Sequence, residues 1–134
     1  MLKVIASIYD PLGVLSPIVV RFKFILQDVF SSQVTWDQEV PVDLMTTWKK
    51  LLNDAVKLKP IMLERHYLSE RNLSEVKNTQ LHGFSDASKR AYVAVVYIRN
   101  LFNDGTVLTK FVASKTKVAP LKSLTIPKLE LMGC

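Results

Sequence analysis

The spacing of apolar residues changes near residue 80 from a helical period to strict alternation, and this change decides the fold class. Before it, two stretches, at about residues 16–30 and 41–58, repeat apolar residues three and four positions apart, which predicts two helices. Ser16 and Pro17 have the residue types of a helix N-cap and first turn. The apolar stripes, which we expect to form the core, contain Ile18, Phe22, Ile25, Leu26, Val29, Leu44, Met45, Trp48, Leu51, Leu52 and Val56.

The second part of the chain predicts a three-stranded antiparallel meander. Strands are expected at about 81–86, 91–99 and 106–114, where β-branched and aromatic residues alternate with others. Asn103-Asp104-Gly105 has the composition of a tight hairpin turn, so Asp104 is expected to have a structural role in that turn. The other segments are expected to be a polar connector at 69–79, a basic loop at 115–124 and the start of a helix at Thr125-Ile126-Pro127. The predicted fold class is therefore α+β.

The charge is unevenly distributed between these two parts. Residues 1–78 contain ten Lys and Arg against nine Asp and Glu, whereas residues 79–134 contain eight against three. A basic half of this kind fits a polyanionic partner, although many solvated surfaces are equally basic. No apolar run approaches the roughly 20 residues of a membrane helix, so no membrane partner is expected. The single cysteine, Cys134, fits a reducing, intracellular location and leaves cytoplasm and nucleus both open.

Two acids stand out in the basic half once Asp104 is assigned to its turn. Asp86 ends the first predicted strand and Glu130 lies in the first turn of the last helix. A helix that follows a meander can fold back across the sheet, so we expect the two carboxylates to approach each other at one edge. Such a pair repels unless a cation lies between them, and oxygen ligands of this kind suit Mg²⁺. The simpler interpretation is a strand-end cap and a solvated glutamate.

The sequence also resembles a known family. The order "GFSDAS", a hairpin, then "TIPKLELMG" is similar to the opening of a ribonuclease H domain. Together with "IYDPLGVLSPIVVRFKFILQDVF" and "ASKTKVAPLKSLTIPKLELMG", nearly the whole chain resembles the polyprotein of BEL/Pao long-terminal-repeat retrotransposons. The resemblance implies that residues 1–78 end the reverse transcriptase and connection region, and that residues 79–134 begin a ribonuclease H-like domain. It also implies that Asp86 and Glu130 are catalytic metal ligands, with Lys128 where an Arg is common.

Ribonuclease H folds continue with another strand and further acids, so the resemblance implies an incomplete domain here. The parent domain would cleave the RNA strand of RNA–DNA hybrids with Mg²⁺, and we expect this piece alone to be inactive. Its implied partners are the hybrid and the remainder of the polyprotein. The alternative is a non-catalytic connection module that binds nucleic acid or the polymerase through basic side chains. The residues expected to contact nucleic acid are Lys115, Lys117, Lys122 and Lys128.

Two peptidase interpretations are weaker. The aspartic peptidase label sometimes given to this polyprotein segment requires an Asp-Thr/Ser-Gly turn, but the chain has Asp86-Ala87-Ser88, without the glycine that permits that turn. A triad of Ser85, His82 and Asp86 is also disfavoured, because residues 82 and 86 share one strand face and residue 85 faces the other.

Overall fold

The described residues form helices and one antiparallel sheet. The structure, a computed structural model, describes residues 1–64, 66–122 and 124–134. The elements, in chain order, are α1 (Leu2–Ala6), α2 (Ser16–Ser31), α3 (Val42–Val56), a 3-10 turn (Leu73–Glu75), β1 (Val76–Ala87), β2 (Ala91–Phe102), β3 (Val107–Val118) and α4 (Ile126–Gly133). The predicted α+β class, with two helices followed by a three-stranded meander and a last helix, is confirmed.

The two long helices pack against each other through the predicted stripes. Their buried cluster consists of Phe22, Ile25, Trp48 and Leu51. The rings of Phe22 and Trp48 meet edge to face, with centroids 5.1 Å apart, an arrangement that aromatic pairs favour. The expectation for Val56 is wrong: its side chain is 84% exposed because α3 ends there, and Ala55 packs against the cluster instead.

The start of α2 differs from the prediction. Ser16 is the first residue of the helix, and Leu15 occupies the cap position. Among the described residues, no side chain caps the first turn of the helix; Asp10 fixes the turn before it, since its two carboxylate oxygens accept hydrogen bonds from the amides of Val14 and Leu15 at 2.9 and 2.8 Å. The Ser16 hydroxyl is therefore free for another contact, and it lies 3.3 Å from the Ser114 hydroxyl on β3.

The sheet has the order β1-β2-β3, and both of its strand pairs are antiparallel. Its outer strands are longer than predicted. The segment 69–79, predicted as a connector, includes the first residues of β1, and β3 extends to Val118 through part of the predicted basic loop. Lys115 and Lys117 therefore lie on a strand. Their exposed side chains alternate with half-buried Ser114, Thr116 and Val118, the pattern of a strand with one solvated face.

The helical part is joined to the sheet by several hydrogen bonds, including those from Arg90 of the β1–β2 hairpin to Phe24 and Asp28 on α2. The Ser114 amide donates to the Leu12 carbonyl at 2.7 Å, and the Ser114 hydroxyl donates to the Gly13 carbonyl at 2.6 Å. Farther along α2, the Gln27 side chain donates to the Ala119 carbonyl at 2.6 Å. These contacts hold α2 against β3. The division of the chain into domains at residue 78 stays a prediction.

The segment between α3 and β1 is fastened to the second strand by polar groups. Asn100, only 1% exposed, donates its amide to the Tyr67 carbonyl and accepts the Thr79 hydroxyl. The Arg71 guanidinium lies 4.2 Å from the centre of the Phe102 ring. Buried polar side chains are tolerated only with such partners, so Asn100 fixes the path of this segment. No helix in the described parts of the chain has the length and apolar character needed to cross a bilayer.

Candidate metal and nucleic-acid site

Asp86 lies near the end of β1, where it pairs with Val93 of β2. Its side chain is exposed, and its Oδ1 accepts a hydrogen bond from the backbone amide of Ala87 at 2.8 Å. No other hydrogen bond to this carboxylate occurs among the described residues, which leaves Oδ2 available to a ligand. A carboxylate held at a strand end by its neighbour's amide is oriented without being neutralised.

Glu130 is positioned by the way α4 packs on the sheet. The preceding residue, Leu129, is 1% exposed and anchors the helix, while Glu130 itself is exposed. One turn later the helix approaches the sheet closely: a Cβ on Gly133 would lie 3.3 Å from both the Ser85 Cβ and the Val93 carbonyl oxygen. The absence of a side chain at Gly133 therefore lets α4 rest on β1 and β2.

The two elements that carry the acids are thus in direct contact beside Asp86. The Cys134 thiol lies 3.2 Å from the hydroxyl of Ser85, the residue before Asp86, and 3.4 Å from the Glu130 carbonyl. Successive strand side chains point to opposite faces, so Asp86 leaves β1 on the face away from Ser85 and α4. There it lines a cavity of about 540 Å³ that also borders the start of α2. A shared ion between the two carboxylates stays a prediction.

The donor set suits a hard cation but is small. Carboxylate oxygens are the ligands that Mg²⁺ prefers, and proteins commonly hold it through one or two carboxylates together with water and substrate phosphates. Asp86 and Glu130 match that chemistry. Within residues 1–64, 66–122 and 124–134, no group of three or more His, Cys, Asp or Glu residues is placed to hold a metal ion.

The predicted nucleic-acid-binding side chains lie on β3, in the loop before α4 and on α4 itself. All four are exposed, and none forms an ion pair among the described residues: Lys115, Lys117, Lys122 and Lys128. Ser85, Ala94 and Lys115 pair in one row across the three strands, which puts Lys115 on the face that α4 covers. Lys128 lies on α4 itself, so this face of the domain combines basic side chains with Glu130.

Comparison with known proteins identifies the family. The model of the Pao retrotransposon-like RNaseH-like domain matches residues 1–134. The chain belongs to this family. No curated protein and no solved structure gives a significant match. The resemblance to a Pao retrotransposon polyprotein segment is therefore confirmed, and the match of this Pao domain includes the helices as well as the sheet.

The Pao domain does not assemble the serine triad considered above. The Ser85 hydroxyl contacts the Cys134 thiol, and His82 contacts Gln80, with its Nε2 3.3 Å from the Gln80 Oε1. The third acid of the basic half, Asp104, has a structural role in the hairpin turn. Hydrogen bonds from Arg71, followed by those from Thr106, hold the pKa of the Asp104 carboxyl far below its ordinary value.

A second group of side chains in the Pao domain was missed by the sequence reasoning. Phe84, Tyr97 and Phe111 form a row across the three strands, with ring centroids 6.1 and 6.0 Å apart. They share the sheet face of Asp86, opposite α4. Each ring lies on a different strand, so only the strand register brings them together. That register includes an irregularity in the β2–β3 pairing between Val96 and Tyr97, which the sequence does not reveal.

Proposed function

We propose that this Pao retrotransposon domain contributes Asp86 and Glu130 to a Mg²⁺-dependent ribonuclease H activity on the RNA strand of RNA–DNA hybrids. The observation that carries the proposal is the packing of α4 against β1 beside Asp86, with the Ser85 and Cys134 side chains in contact. Because of this packing, the strand that carries Asp86 lies beside the helix that carries Glu130. The family resemblance implies the same order, with one acid on the first strand and one on the following helix. Membership of the family supports the same reaction class.

The chain's own residues have separate tasks in this proposal. Asp86, with its Oδ1 held by the Ala87 amide, offers Oδ2 as a ligand, and exposed Glu130 offers its carboxylate from α4. Bound Mg²⁺ would supply neutralisation of phosphate charge and a more acidic water. The exposed lysines around α4 would hold the phosphates of the hybrid, a contact that positions the duplex without reading its sequence.

We expect these 134 residues alone to bind hybrid and to cleave it inefficiently. Two carboxylates leave most of the coordination positions of an octahedral ion to water and phosphate, so the attacking water is poorly fixed. One observation favours the alternative function, a non-catalytic module that binds nucleic acid: the described residues provide no group of three potential metal ligands.

The test is cleavage of a labelled hybrid with Mg²⁺, using the 134-residue chain and a longer polyprotein segment that contains it. In the longer protein, Asp86→Asn and Glu130→Gln should each abolish cleavage and leave hybrid binding nearly unchanged. The matched control is Glu39→Gln, which neutralises an exposed acid in the loop before α3. If the longer protein binds hybrid but neither acid affects cleavage, the non-catalytic alternative is correct. Efficient cleavage by the 134-residue chain, lost in Asp86→Asn, would show that two carboxylates are enough.

The lysine contribution is measured separately through salt dependence. Each phosphate contact adds about 0.9 to the slope of log affinity against log salt concentration on a B-form duplex. Lys115→Ala should therefore lower the slope for hybrid by roughly one, whereas Lys49→Ala, on the exposed face of α3, should leave it unchanged. Equal slopes for the two variants would exclude the α4 face as the phosphate-binding surface.

A further inference from the structure

The aromatic row of Phe84, Tyr97 and Phe111 has properties that the ribonuclease function does not use. The rings meet edge to face, with interplanar angles of 71° and 76°, so the row is held in a fixed arrangement. Phe84, at one end, is 59% exposed. At the other end, Tyr97 and Phe111 border the 540 Å³ cavity between the sheet and α2. The row is therefore open to solvent at the Phe84 end, whereas Tyr97 and Phe111 are half-buried.

Polar side chains with donor groups adjoin the row on the same face. Gln80 pairs with Arg99, and His82 pairs with Tyr97, in the β1–β2 register. The Gln80 Oε1 accepts a hydrogen bond from Arg99 Nη1 at 3.1 Å and lies 3.3 Å from His82 Nε2. Arg99 has no carboxylate partner among the described residues, so its remaining guanidinium donors are available to an anion.

We propose that the aromatic row and Arg99 bind single-stranded nucleic acid, with bases stacked on Phe84 and Tyr97 and a phosphate at Arg99. Exposed aromatic side chains on a sheet are the usual platform for unpaired bases, whereas paired bases do not expose their faces. The charge of residues 79–134, eight Lys and Arg against three acids, complements a polyanion. An apolar protein partner would not need an unpaired guanidinium beside the rings.

Binding on this surface does not require the lysines of the α4 face, although the row shares its sheet face and the 540 Å³ cavity with Asp86. The lysines around α4 lie on the opposite face of the sheet, and stacking needs no metal ion. Contacts to bases through rings tolerate any sequence, because every base has an aromatic face. The domain would then hold an unpaired strand on the face of Asp86, while the lysines of the opposite face hold phosphates of the hybrid.

The experiment measures binding of fluorescently labelled single-stranded RNA and DNA oligonucleotides to the 134-residue chain by anisotropy. Phe84→Leu keeps an apolar side chain but removes the stacking surface, and it should weaken binding roughly 5- to 150-fold, the value of one stacked base. Phe84→Trp should retain affinity. The matched control is Leu81→Ala on the same strand but the opposite face, where Leu81 is 71% exposed, and its affinity should equal that of the wild type.

Arg99→Gln provides an independent variant that leaves the rings in place. It should lower the salt dependence of single-strand binding by about one phosphate contact. Far-UV circular dichroism and the melting temperature establish that each variant is folded. The proposal is overturned if the wild-type chain does not bind single strands, or if Phe84→Leu binds them as well as the wild type. It is also overturned if sedimentation shows that the row instead joins two copies of the chain, with self-association lost in Phe84→Ala.

Discussion

Two glycines with nearly the same backbone conformation should respond very differently to substitution by alanine. Gly13, in the turn before α2, has φ +77°, and Gly105, in the β2–β3 hairpin, has φ +83°. Both lie in the left-handed region, which costs an alanine about 1–2 kcal/mol. Their surroundings differ, since a Cβ on Gly105 would meet nothing within 4 Å. Gly105→Ala should therefore lose only this backbone term.

Gly13→Ala should lose considerably more. Its Cβ would lie 2.7 Å from the carbonyl carbon and from the Oγ of Ser114, and closer still to the carbonyl oxygen. The obstacle is strand backbone, so the turn must move away from β3. That movement breaks the hydrogen bonds from Ser114 to the Leu12 and Gly13 carbonyls. Two hydrogen bonds at about 1 kcal/mol each, added to the backbone term, give a total loss of about 3–4 kcal/mol.

Urea denaturation followed by circular dichroism gives the free energy of unfolding of both variants. The comparison between them cancels the backbone term and leaves the effect of the clash. If Gly13→Ala is no less stable than Gly105→Ala, the close approach of the Gly13 turn to β3 is not what holds α2 on the sheet, and the reasoning fails.

Three other substitutions test separate parts of the fold. Gly133→Val should push α4 away from Ser85 and speed amide hydrogen exchange in residues 126–133; exchange as slow as in the wild type would show that the helix does not depend on this contact. Asp104→Asn tests a pH dependence. Arg71 lowers the pKa of the Asp104 carboxyl below its ordinary value of 3.8. The charged carboxylate therefore stabilises the fold fully above pH 3.8, and this contribution is lost as the pH falls towards the lowered pKa. The variant should melt at a lower temperature at pH 7 and lose less stability on acidification, and parallel pH profiles would contradict this. Asn100→Leu removes both hydrogen bonds of a buried side chain and should cost about 1–3 kcal/mol in urea unfolding, whereas an unchanged midpoint would mean that apolar packing replaces them.

The helical core could be predicted because it is encoded locally. Phe22 and Ile25 on α2, and Trp48 and Leu51 on α3, each occupy the centre of an apolar stripe, and all four are buried. Among the residues predicted to be buried on α3, Val56 is exposed, because the helix ends there. The start of α2 was not identifiable from Ser16 and Pro17 alone, because Asp10 fixes the preceding turn through the amides of residues four and five positions later.

The strand ends and the aromatic row depend on interactions that are distant in sequence. β3 continues through Lys115 and Lys117 because β2 supplies hydrogen-bonding partners as far as Val118, although the side chains there have the composition of a loop. Phe84, Tyr97 and Phe111 are separated by 13 and 14 positions, and only the pairing register aligns them. The acids were identifiable as isolated charges and by family resemblance, whereas the face from which Asp86 leaves the sheet became clear only from the position of α4.

The attachment of α2 to the sheet also has a consequence for the order of folding. Its side-chain hydrogen bonds join residues between 62 and 101 positions apart, whereas β1, β2 and β3 are successive hairpins. Long loops close at a greater entropic cost than short ones, so local pairs are expected to form first. The meander should be largely formed in the folding transition state, with α2 docking afterwards. Gly13→Ala should then accelerate unfolding and leave the refolding rate nearly unchanged in stopped-flow measurements, and a slower refolding rate would place the Gly13 turn in the folding nucleus.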